Sequence, residues 1–111
     1  MTVLVIAEND NTSIKTAVFN TVSAAKELGG DVHLLVAGNN ADEAVEAAAK
    51  IEGVNRVLYA EAEHFDKPVA EEITALVLPI ATDYSHILAP ATSFGKNLMP
   101  RIAALLDVAQ V

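Results

Sequence analysis

The chain is expected to fold as an α/β three-layer sandwich, a parallel, doubly wound sheet of about five strands with helices on both faces. Three observations predict this. Thr2–Ala7 is a short, nearly continuous apolar run rich in β-branched residues; further strand-like segments begin at Asp31, Arg56 and Asp83; and each is followed by turn residues and a helix-like segment. A strand without apolar–polar alternation is one covered on both faces, and four strand–helix alternations imply parallel strands joined by right-handed crossovers. A chain of 111 residues has the usual size of one domain, and neither a repeat nor a long linker divides it, so residues 1–111 are expected to form a single α/β domain.

The first strand is expected over Thr2–Ala7. Glu8-Asn9-Asp10-Asn11 then supplies turn chemistry, and Thr12 or Ser13 can cap a helix with Ile14, Val18, Val22, Ala25 and Leu28 on one face. Gly29-Gly30 ends this helix, because a left-handed C-cap favours a residue without a Cβ. The second strand is Asp31–Ala37, followed by Gly38 and two asparagines. A second helix has Asp42, Glu43 and Glu46 in its first turns, where the helix dipole favours acids, with Val45, Ala48 and Ala49 inward and Gly53 at its close.

Arg56–Ala60 is the third strand. The polar stretch Glu61–Lys67 leads to Pro68, suited to a first helical position, and Val69, Ile73, Leu76, Val77 and Ile80 keep helical spacing. Pro79 lacks a backbone N–H and its ring crowds the carbonyl of Ala75, so this helix must kink or loosen there. Asp83–Ala89 is the fourth strand, and a fourth helix runs from Ala91-Thr92-Ser93 to about Leu106, bent at Pro100. Val108-Ala109-Gln110-Val111 reads as the opening of a fifth strand, and the expectation is of a chain cut from something longer.

Composition removes several classes of function. With no cysteine there is no disulfide, thiolate metal site, iron–sulfur cluster or cysteine nucleophile. A formal net charge of −8 has the wrong sign for nucleic acid or an anionic membrane surface. No apolar run reaches the roughly 20 residues of a spanning helix. The opening residues lack a basic region before the apolar stretch, so neither a signal nor a transit peptide is expected, and the location expected is cytoplasmic.

In an open parallel sheet, ligands bind beyond the carboxyl ends of the strands where the strand order reverses. This directs attention to Glu8-Asn9-Asp10-Asn11 and to Ala89-Pro90-Ala91-Thr92-Ser93, which face each other if the first and fourth strands are neighbours. Free N–H groups of Phe94, Gly95 and Lys96 at a helix start could attract a phosphate. Against this, Gly95-Lys96 lacks the upstream glycine of a P-loop and Asn97 stands where that loop has a hydroxyl, which favours Thr92 or Ser93 as a plain N-cap.

Ala91-Thr92-Ser93-Phe94-Gly95 also approximates a nucleophile elbow, but only Asp107 and no histidine follows Ser93, so a serine hydrolase is disfavoured. His33, His64 and His86 share no metal-ligand spacing. The two strand histidines are expected to be packed with one nitrogen hydrogen-bonded, and His64 to be solvated among Glu61, Glu63 and Asp66. Glu71-Glu72 and Glu61/Glu63 read as exposed charge. No catalytic, cofactor-binding or metal-binding residue is assigned.

The stretch Ala89-Pro90-Ala91-Thr92-Ser93-Phe94-Gly95-Lys96-Asn97-Leu98-Met99-Pro100-Arg101-Ile102-Ala103-Ala104-Leu105-Leu106-Asp107-Val108 resembles the characteristic segment of electron transfer flavoprotein alpha subunits. Val3-Leu4-Val5-Ile6-Ala7-Glu8, Ala24-Ala25-Lys26-Glu27-Leu28-Gly29-Gly30 and Asp83-Tyr84-Ser85-His86-Ile87-Leu88-Ala89-Pro90 are similar in register, so the resemblance covers the whole chain.

It implies an N-terminal scaffold and partner-binding domain that packs against an electron transfer flavoprotein beta subunit. The complete heterodimer would carry electrons on FAD from primary dehydrogenases, such as acyl-CoA dehydrogenases, to a membrane quinone reductase. FAD in that family is held mainly by a C-terminal domain of the alpha subunit that this sequence lacks, so no flavin-binding residue is carried over and no cofactor is expected here. Pro79 departs from the uninterrupted helix the resemblance implies. The same reading expects exposed apolar surface and self-association. A stand-alone adenine-nucleotide or small-molecule binding module is the alternative, weakened by the single Gly95; an enzyme ranks third.

Overall fold

The computed structural model describes residues 2–7, 14, 16–38, 41–61 and 70–90, with side chains from 73 onward in the last stretch. Within them lie strands β1 (Thr2–Ile6), β2 (Asp31–Gly38), β3 (Arg56–Glu61) and β4 (His86–Leu88), and helices α1 (Thr16–Glu27), α2 (Asp42–Ala49) and α3 (Ala70–Val77). All strand pairings are parallel and the order is β3-β2-β1-β4. The end of the pattern, residues 91–111 with the expected fourth helix and fifth strand, lies outside the described residues, as do 8–13, 15, 39–40 and 62–69.

Alternation along each strand divides the core into two clusters, one per face. On one face Val3, Val5, Val32, Leu34 and Val36 meet Val18, Val22 and Ala25 of α1 and Ala44 and Ala48 of α2. On the other, Leu4, Ile6, Leu35 and Ala37 meet Ile73 and Val77 of α3 and Ala81. Both faces of β1 and β2 are therefore dry, which accounts for their unbroken apolar sequences. Burying each such valine, leucine or isoleucine side chain contributes roughly 1.5–3 kcal/mol.

Several boundaries differ from the sequence expectation, each for a local reason. Ile14 is a core residue but enters through an isolated strand-like bridge ahead of α1. Leu28 falls beyond the last helical turn, where Gly29 at φ 86° redirects the chain, and is left 38% exposed. In α2 the buried positions are Ala44 and Ala48; Ala49 is exposed, and Val45 is half-buried. The helix ends at Ala49, so the left-handed Gly53, at φ 99°, shapes the later turn into β3.

Pro79 acts as its chemistry requires. α3 gives way after Val77 to a 3₁₀ segment, Leu78–Asp83, with the proline in its first turn, where a missing N–H leaves no bond unmade. Because that segment runs to Asp83, β4 is three residues long and begins at His86, later than the expected Asp83. Tyr84 is extended, at φ −119° and ψ 141°, and the Ser85 N–H donates to the Thr2 carbonyl at 2.9 Å, which aligns β4 against β1.

Candidate functional site

The order β3-β2-β1-β4 makes β1 and β4 neighbours, with β2 on the other side of β1. The chain runs outward from β1 through β2 to β3 and then crosses back to β4 on the other side of β1, and the crevice where a ligand would sit in such a sheet is beyond the carboxyl ends of β1 and β4. The register pairs Val5 with Leu88, so continuing it brings Ala7 level with Pro90, and both are buried. The Ala7 N–H still donates to the Leu35 carbonyl at 2.9 Å, holding that end of β1 to β2. The described chain ends at this edge, Ala7 and Pro90, thus lie side by side. The loops themselves, with Thr92, Ser93, Phe94, Gly95, Lys96 and Asn97, lie outside the described residues.

Charge is unevenly placed across the sheet. The amino ends of the strands are of mixed charge: Lys26 at the end of α1, Lys50 just past α2 and Arg56 at the start of β3 stand there with Glu27, Asp31, Glu52 and Asp83. At the carboxyl ends the described charged side chains are acidic: Asp42 and Glu43 open α2, and Glu61 closes β3. The acids in the first turn of α2 satisfy the helix dipole and disfavour a bound anion there.

Tyr59 organises this corner. Its hydroxyl accepts from the Ala41 N–H at 2.9 Å and donates to Glu61 Oε1 at 2.9 Å. Ala41 is the N-cap of α2 and offers no side-chain acceptor, so a tyrosine from β3 does what a glutamate three residues into the helix does in a capping box. Partial burial raises the Tyr59 phenol above its ordinary range; the Ala41 N–H works against this, and Glu61 adds to it.

The histidines stand apart. His33 pairs in register with Leu4 and His86 with Val3, so they occupy opposite faces with β1 between them. His33 is half-buried, its Nδ1 is 2.9 Å from the Tyr84 hydroxyl, and the rings meet edge to face, which fulfils the packed, singly hydrogen-bonded expectation. His86 keeps one such bond, Nδ1 to Ser85 Oγ at 3.0 Å, but is exposed: β4 has a strand neighbour on one side only among the described residues. No group of three or more histidine, aspartate or glutamate side chains converges on a metal position among the described residues, where His64 is not included. Nor is any described helix long and apolar enough to cross a membrane.

Asn55, which sequence reasoning passed over, has a structural task. Its Oδ1 accepts from the Val32 N–H at 2.8 Å and its own N–H donates to the Val32 carbonyl at 2.8 Å, closing the open start of β2. An asparagine two residues after Gly53 and directly before a strand was the available signal.

Against this geometry, the family model of the electron transfer flavoprotein domain matches residues 3–111. The chain belongs to the electron transfer flavoprotein domain family. It is similar to the electron transfer flavoprotein subunit alpha of Pseudomonas aeruginosa, 50% identical over 111 residues, which is 100% of this chain and 36% of that protein. To the same subunit of Paracoccus denitrificans it is 50% identical over 109 residues, covering 97% and 35%. The mitochondrial subunit alpha of Dictyostelium discoideum is 36% identical over 118 residues, covering 99% and 33%. The chain spans about a third of the length of these curated relatives. The resemblance read from Ala89–Val108 thus extends along the whole sequence.

The family is named for a flavoprotein, and the loops beyond the carboxyl ends of the strands lie outside the described residues. The carboxyl ends of the strands present Ala7, Gly38, Ala60, Ala89 and Pro90, their charged side chains are acidic, and the Tyr59 hydroxyl is already shared between Ala41 and Glu61. None offers a cation to a flavin's diphosphate.

Proposed function

We propose that residues 1–111 form a single domain, the N-terminal scaffold and partner-binding domain of an electron transfer flavoprotein alpha subunit, and that this domain packs against the beta subunit. The complete heterodimer would carry electrons on FAD from dehydrogenases, such as acyl-CoA dehydrogenases, to a quinone reductase of the membrane. It is an electron carrier and not an enzyme, and its location is cytoplasmic. FAD supplies the redox chemistry, accepting and releasing electrons at its ring system. This chain's share is to present a rigid sheet, and the flavin is held by other parts of the full protein.

The observation that carries the reading is the whole-length similarity to alpha subunits, at 50% identity, joined to a strand-end surface whose described charges are acidic. The test is size-exclusion chromatography of the chain with purified beta subunit, recording flavin absorbance. A co-eluting complex, with no flavin retained by the chain alone, is the expected result. A chain that ignores the beta subunit, or binds FAD or an adenine nucleotide by itself, would overturn it.

A further inference from the structure

We draw no further inference here: the strongest candidate, the outer edge of β3, where half-covered Val57, Leu58, Tyr59 and Ala60 have no second strand beside them among the described residues, carries nothing because nothing in the structure shows what covers it.

Discussion

The stem of Lys26 lies across the α-carbon of Gly53, so that a Cβ at position 53 would collide with Lys26 Cδ and stand 2.8 Å from its Cγ and Cε. The last turn of α1 is thereby laid over the turn that feeds β3. Gly53 is also left-handed, at φ 99°. Gly53→Ala is therefore expected to destabilise the chain by about 1–2 kcal/mol through its backbone alone, and somewhat more through the displaced lysine. Gly29, at φ 86° with nothing within 4 Å of its missing Cβ, carries only the backbone component and serves as the control. Urea unfolding of Gly53→Ala with and without Lys26→Ala separates the two contributions. An identical loss in both backgrounds would show that the lysine contact has no energetic weight.

Removing the Asn55 side chain leaves the Val32 N–H, at a buried position, without its acceptor. Asn55→Ala is expected to cost about 1–2 kcal/mol, because an orphaned donor loses its water as well as its bond. Asn55→Asp keeps an acceptor and should recover most of that. Amide exchange at Val32 should accelerate in the alanine variant and remain slow in the aspartate one.

Burial raises the Tyr84 phenol above its ordinary value of 10.0, Arg56 pulls it back, and Asp83 pushes it up. The folded state thus holds the phenolic proton more tightly than the unfolded chain. The resulting stability is present below the unfolded value and is lost as pH rises through the folded one. Arg56→Leu should raise the Tyr84 pKa further, read by tyrosinate absorbance in a Tyr59→Phe background. A downward shift would refute the assigned role of Arg56.

Tyr59→Phe should loosen the start of α2, since the Ala41 N–H loses its acceptor. Faster amide exchange at Ala41 is the expected sign. Glu61→Gln should lower the Tyr59 pKa, because the carboxylate both accepts the phenolic proton's hydrogen bond and repels the phenolate. Absorbance titration with Tyr84→Phe isolates that change, and no movement of the titration would argue against the Tyr59–Glu61 contact in solution.

The fold was legible in the sequence because burial on both sides leaves a plain record. Val3–Ile6 and Leu34–Ala37 are apolar at every position, since even and odd side chains enter different clusters. Pro79 was equally readable, as a missing N–H constrains the backbone whatever surrounds it. Family membership was carried by residue identity along Ala89–Val108, without reference to any contact.

Tertiary structure alone decided what depends on distant partners. Nothing in the local sequence places Tyr59 over Ala41, Tyr84 on His33 or Lys26 over Gly53, because each pair is joined only when parallel strands and crossover helices come into register. The exposure of Leu28 followed from where α1 stopped, and that of Ala49 from which face of α2 meets the sheet, matters of packing and turn geometry that apolar spacing does not encode. Gathering of the described bases Lys26, Lys50 and Arg56 at the amino ends of the sheet is likewise a product of topology: residues scattered along the chain share an end only because every strand points the same way.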